Sequence, residues 1–250
     1  MTESSRTALR EAAAANPHCS PHLLDVLSMP GEAQWTHLAA AGNPSSGDQT
    51  LSRLGHDTDT SVRVAVACNA SAPEELIAEL SRDAEAAVRG AGLAHRVCPP
   101  ALLVEAARAD TSDRSAVAGN AASPPEVLAT LASDSHRMVR QVALLNPATP
   151  PAALTRQGNL TCNLMLAANP SAPATTLEVL AHDPYSDVRQ AVARNVRANS
   201  SLLADLTRDK DGLVRASAPV SYTHLESSRT DRLRSSASIS MQARPSDQFF

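Results

Sequence analysis

What most constrains this chain is a residue that returns at nearly fixed intervals. Asparagines stand at Asn16, Asn43, Asn69, Asn120, Asn146, Asn169 and Asn195, with His95 in the one open register, and the successive spacings are 27, 26, 26, 25, 26, 23 and 26 residues. Six residues ahead of each anchor the chain reads Arg10, His37, Arg63, Arg89, Arg114, Arg140, Asn163 and Arg189, and Arg215 extends the series. Six residues further upstream, five of these arginines have an aspartate: Asp57, Asp83, Asp134, Asp183 and Asp209. Such self-similarity marks a repeat architecture, in which a unit cannot bury its apolar face without a neighbour.

Within a unit the apolar spacing is helical. Val62, Ala65, Val66 and Asn69 lie at i, i+3, i+4 and i+7, as do Val188, Ala191, Val192 and Asn195. A second, shorter stripe follows each anchor: Leu76, Ile77 and Leu80, then Val127, Leu128 and Leu131, then Leu202, Leu203 and Leu206. It starts at a proline after a small residue, as in Ser20-Pro21, Ala72-Pro73, Cys98-Pro99, Ser123-Pro124, Thr149-Pro150 and Ala172-Pro173. Proline suits the first helical turn, where its missing N–H has no partner to lose. Two helices of about 8 to 10 residues are too short to persist alone in water, so stability has to come from stacking. The chain has 46 alanines and five aromatics among its 250 residues. A core of Ala, Leu and Val requires closely spaced backbones and favours thin stacked helices over a sheet sandwich. The expected fold is an all-α solenoid of about eight to nine units over residues 1–218.

The clearest copy of the unit is Asp183-Pro184 through Val188-Arg189-Gln190-Ala191-Val192-Ala193-Arg194-Asn195, preceded by Leu177 to Leu180. It resembles the repeat of the leucine-rich repeat variant family, and the likeness extends over about residues 5–218. The resemblance implies a right-handed superhelix in which an α-helix alternates with a 3₁₀-helix. The Asp and Val-Arg spacing is also similar to that of HEAT repeats, whose units are longer. Some members of the variant family carry a cysteine-rich iron-sulfur module, which nothing here matches, so the resemblance implies no catalytic activity. Three places depart from the pattern: Gln157 and Asn163 in place of Asp and Arg, Asp110 and Asp113 around Arg114, and His95 with Gly90 and Gly92.

After Ala218 the periodicity stops. Residues 219–250 carry no helical stripe and are expected to be a disordered tail. The run Pro219 to Leu225 resembles a translated sequencing-adapter peptide, which would make the tail an artefact and leave further repeats beyond it. The net charge of −4 leaves 18 basic and 23 acidic groups in residues 1–218. A duplex-binding module shows a basic face, and single-strand binders need aromatic platforms, so nucleic acid is not the expected partner. No apolar stretch is long enough for a membrane helix, and Met1 to Arg10 lacks the order of a secretory signal. A cytoplasmic monomer is expected.

Candidate chemistry is sparse. Cys19, Cys68, Cys98 and Cys162 have no close pairing of the kind that holds zinc, and their register slots mark them as small core residues. His18, Cys19 and His22 form the one local cluster of metal-ligand types, but Ser20-Pro21 breaks the helix that would align them. His56 and His182 share a slot with Arg82 and Arg208 and describe a solvated ridge. No catalytic residue, cofactor site or metal site is expected. The Asp and Arg series reads as a structural ladder, with Asp capping a helix and Arg bridging to the Asp of an adjoining unit. Arginine does not titrate near neutrality and makes a poor general acid or base. The Asn series reads as helix ends, since Asn tolerates left-handed φ and bonds nearby backbone. The sequence thus points to a protein-binding scaffold. The rivals are a HEAT-like enzyme needing an aromatic and carboxylate cleft, for which Trp35 and Tyr185 are the repeats' only aromatics, a nucleic-acid-binding solenoid, and a structural arm of a longer protein.

Overall fold

The computed structural model describes residues 3–155 and 159–218, and among these every regular element is a helix. The residues expected to form a disordered tail, 219–250, lie outside that range. The chain divides into two compact units between Pro150 and Pro151. The boundary falls inside the expected repeat span, just ahead of the departure at residues 157–163.

The first unit is built from alternating long and short helices. The long ones are α1 (Glu3–Ala15), α3 (Gln34–Gly42), α5 (Thr60–Ala67), α7 (Ala86–Ala94), α9 (Thr111–Gly119) and α11 (Arg137–Leu145). The short ones are α2 (Pro21–Leu27), α4 (Asp48–Leu54), α6 (Glu74–Leu80), α8 (Pro100–Ala106) and α10 (Pro125–Leu131). From α1 to α9, each long helix packs against the next long helix and also against the short helix that follows it. The second unit opens with a single 3₁₀ turn, Pro151–Ala153, followed by α12 (Leu160–Ala168), α13 (Ala174–Leu180), α14 (Ser186–Arg194) and α15 (Ser200–Leu206), with helix again over 212–218. There α12 packs against α14.

The core follows the two stripes. Val62, Val66, Val88, Val117 and Val139 are fully buried on the long helices, and Leu51, Ile77, Leu103 and Leu128 on the short ones. Burial of such a side chain contributes about 1.5–3 kcal/mol. Ala40, Ala41, Ala67, Ala118 and Ala143 are also fully buried, and their single methyls let successive backbones approach. The small residue before the proline is buried as well in five of the six pairs, at Ala72, Cys98, Ser123, Thr149 and Ala172, while Ser20 is exposed. Where the buried residue carries a hydroxyl, that group donates to the carbonyl six residues back, from Ser123 Oγ to Val117 O and from Thr149 Oγ1 to Ala143 O, each at 2.6 Å.

Two local expectations are corrected. The proline after the small residue is the N-cap, not the first helical residue, in α6, α8, α10 and α13. Its fixed φ suits the extended cap, with φ −69° and ψ 153° at Pro73, and its carbonyl still accepts the first helical bond, from Ile77 N at 3.0 Å. The second helices are seven-residue α-helices except Pro151–Ala153. That turn buries none of its own side chains and is followed by one buried leucine, Leu154, where the others bury two or three apolar side chains, so little holds a longer helix in place.

Helix α7 contains two glycines in unlike surroundings. A Cβ on Gly92 would stand 2.8 Å from Ser81 N and 2.7 Å from Ser81 Oγ, whereas one on Gly90 would meet nothing within 4 Å. Gly92→Ala is therefore expected to lower the thermal midpoint. Gly90→Ala in the same helix is expected to raise stability by about 0.5–1 kcal/mol. Thermal unfolding of the two variants beside the parent checks both signs.

Candidate functional site

The anchor asparagines do more than end helices. Each of Asn43, Asn120, Asn146, Asn169 and Asn195 is a C-cap in extended backbone, with φ between −66° and −76°. None of these five uses the left-handed conformation that makes Asn a common helix terminator. The side chains of Asn43, Asn120, Asn146 and Asn195, and of Asn69 beside them, reach into the preceding repeat instead. Asn69 Nδ2 donates to Ala41 O at 2.7 Å and Asn43 O at 2.9 Å. Asn120 makes the same pair to Leu93 O and His95 O, and Asn146 to Ala118 O and Asn120 O. In the second unit Asn195 bonds Ala167 O and Asn169 O. The remaining oxygen accepts the backbone N–H two residues on, as in Ala122 N to Asn120 Oδ1 at 2.8 Å. All of these side chains are buried. One amide thus ties the turn of its own repeat to the helix end and turn of the one before.

A second ladder runs beside the first. Arg63 Nε and Nη2 grip both oxygens of Asp83, at 2.8 and 3.2 Å, and Arg189 grips Asp209 at 2.7 and 2.9 Å. Arg114 meets Asp134 in the same manner. The third nitrogen turns back onto its own repeat, so that Arg63 Nη1 donates to Asp57 O and Arg189 Nη1 to Asp183 O, both at 2.9 Å. Arg140 and Arg215 make the same backward bonds, to Asp134 O and Asp209 O. The aspartate does not cap the helix directly, because its carboxylate accepts the N–H of the residue two further on, which is the cap position. Asp83 takes Glu85 N, Asp134 takes His136 N, and Asp183 takes Tyr185 N.

Gln157 lies outside the described residues, and among those described several departures keep a bond in place. His37 Nδ1 lies 2.7 Å from Asp57, and Asn163 Nδ2 donates to Asp183 at 2.9 Å. Arg89 has no aspartate in the usual slot and instead takes Asp113, from the slot that holds Val elsewhere, together with Asp110. The hydrogen bond from Arg63 holds the Asp83 carboxyl below the usual range, and the bond from Arg189 does the same for Asp209.

The remaining candidates do not converge. Cys19, Cys98 and Cys162 are buried core residues, but Cys68 is exposed, because five residues past Arg63 the end of α5 faces outward. Cys19 points inward while His18 and His22 are exposed. His56 pairs with Glu79 at 2.8 Å across an open depression of about 760 Å³ that also borders the Arg63–Asp83 pair. Trp35 lies in the first compact unit and Tyr185 in the second.

One long-helix surface of the first unit is uncharged. Two residues before the ladder position stand Trp35, Ser61, Ala87, Ser112 and Met138, and five residues after it Gly42, Cys68, Ala94, Gly119 and Leu145, all exposed. Two residues after it stand Ala39, Ala65, Ala91, Ala116 and Val142, half-buried. At about 100° per residue these three positions fall on one side of each helix. On the short helices and the turns after them, Glu74, Glu75, Glu79, Arg82, Glu105 and Arg108 are exposed instead.

Fifteen chains of solved structures match this one. Among them is a structure described as a leucine-rich repeat variant with a novel repetitive protein structural motif. It is 26% identical, with a TM-score of 0.51, over 80% of this chain and 81% of that one. By fold, the chain is a helical repeat protein of the leucine-rich repeat variant kind. No protein-family model matches it, and no curated protein does.

In this leucine-rich repeat variant fold the Arg189–Asp209 rung is the most buried of the ion pairs, with side chains 5% and 9% exposed. Arg189→Gln and Asp209→Asn are each expected to cost about 1–3 kcal/mol near neutral pH, and the double variant less than the sum. Since the folded carboxyl titrates below its unfolded value, the stability it supplies is present above about pH 4 and is lost as the pH falls. The difference between parent and Asp209→Asn should therefore shrink in acid, which chemical denaturation at several pH values measures.

Proposed function

We propose that the protein is a non-catalytic scaffold that binds another protein through the uncharged long-helix surface of its first unit. The observation that carries this reading is the row of exposed, uncharged side chains from Trp35 to Met138, with Leu145 beside it. Trp35 is 65% exposed and Met138 55% exposed. Large apolar side chains left in water on a repeat surface mark interaction sites more often than isolated ones do. The small residues between them leave a smooth floor across five repeats, suited to an apolar segment of a partner chain and not to a charged polymer.

The ladder side chains support the same reading. The guanidinium groups of Arg63, Arg89, Arg114 and Arg189 are committed to aspartates and turn carbonyls, so they are not free to hold phosphate or a reacting carboxylate. The protein is proposed to work in the cytoplasm as a monomer, with no cofactor.

The test is capture of interacting proteins by the full chain, in parallel with two variants. A Trp35→Glu, Met138→Glu, Leu145→Glu variant changes exposed positions only and is expected to fold and to lose the partner. A Glu79→Lys, Glu105→Lys variant, altered on the short helices, is expected to retain it. A partner held equally by the first variant, or recovery of nucleic acid alone, would contradict the proposal.

A further inference from the structure

The anchor slot of the fourth long helix, α7, is filled by an imidazole. His95 is the C-cap of α7 and is 8% exposed. Its Nε2 lies 3.1 Å from Asn69 O, in the place of the Asn-to-previous-turn bond, and Val97 N donates to its Nδ1 at 3.3 Å. These two contacts fix the tautomer. A backbone N–H can only donate, so Nδ1 carries a lone pair, and the proton sits on Nε2, where a carbonyl accepts it.

The substitution is imperfect. An asparagine amide offers two N–H groups and uses both, as Asn120 does toward Leu93 O and His95 O. Neutral histidine in this tautomer offers one, spent on Asn69 O, and Ala67 O receives no bond from the ring among the described residues. Protonation does not repair this. The new proton would sit on Nδ1, directed at the Val97 N–H, and would convert an acceptor into a second donor facing a donor.

We propose that His95 is a pH-sensitive rung of the asparagine ladder, one that joins the repeats of α5 and α7 when neutral and is driven out of its buried slot when protonated, because the Nδ1 proton then faces the Val97 N–H.

The surroundings provide no counter-charge. From the preceding repeat the ring meets the Asn69 turn, from its own chain Arg96, Val97 and the buried Cys98, and from the next repeat the Asn120 amide bonded to its carbonyl. Arg96, whose guanidinium donates to Ala70 O, is a like charge, and Cys68 and Cys98 are the thiols on the adjoining turns. No carboxylate bonds the ring among the described residues. Burial lowers the His95 pKa from its usual value and outweighs the bond to Asn69 O, which acts the other way, while Arg96 adds a smaller lowering. Below the unfolded value the unfolded chain then binds more protons than the folded one, so stability falls as the pH drops from about 7 toward 5. The same helix carries Gly90 and Gly92, each of which lowers its intrinsic helical preference.

The test pairs the full chain with His95→Asn, which restores the residue that the other anchor slots carry. Thermal midpoints are measured from pH 7.5 to 5.0, and the His95 ring is followed by NMR in the parent. The parent is expected to lose several degrees more than His95→Asn over that range, with the ring titrating below its usual pKa and in the Nε2–H form when neutral. Parallel melting profiles would overturn the proposal, as would a His95 ring that titrates at or above the value of an exposed histidine. The ring measurement needs no variant, so it decides the matter even if His95→Asn folds poorly.

Discussion

A buried side-chain amide that bonds backbone in the neighbouring repeat is the interaction on which the rest of this fold depends. A carbonyl at a helix end has lost its partner in the next turn and must find a donor. Here the donor comes from another repeat, so the same bond that completes one helix end sets the distance and register between two units. Asn69 closes the ends of both Ala41 and Asn43 in this way. Because each amide spans about one repeat length, insertion or loss of residues between anchors would leave a buried donor and two buried acceptors unmatched, at about 1–3 kcal/mol each. That penalty accounts for a spacing that stays at 25 to 27 residues throughout the first unit.

The arginine ladder is subordinate and more forgiving. Its side chains are longer, lie nearer the surface, and reach their acids by several routes. His37, Asn163 and the Asp110–Asp113 pair each close a rung in a different manner. What is common to them is one hydrogen bond to an acid of the following repeat, plus, for most arginines, a bond back to the turn before their own helix. The two ladders therefore divide the work: the amides fix register inside, and the ion pairs clamp the outer turns.

Much of this was legible in the sequence. The period, the two apolar stripes per unit, the helical class and the pairing of Arg with Asp between repeats are all carried by residue type and spacing. The role of asparagine was not, because an Asn at a helix end followed by Pro has an adequate local explanation, and its true partners lie 25 to 29 residues away. Nor could spacing show that Asp113, in a valine slot, would serve Arg89, or that Cys68 would face water while the other cysteines are buried. The proline position was misplaced by one residue in α6, α8, α10 and α13, though not at Pro21 of α2, because the N-cap and the first helical residue share a similar φ, and the neighbouring backbone decides between them. The uncharged surface could be found only once the register of each helix face was known, since its residues are scattered through the sequence two before, two after and five after the ladder position.

The most direct test of this account is amide hydrogen exchange in the Asn120→Ala variant. This change removes the bonds to Leu93 O and His95 O and the acceptor for Ala122 N, while leaving the apolar core intact. If the amide couples neighbouring repeats, the variant loses at least about 2 kcal/mol, and amides of both α7 and α9 exchange faster. Unchanged stability, or faster exchange confined to the end of α9 with α7 still protected, would show that the asparagine merely terminates its own helix.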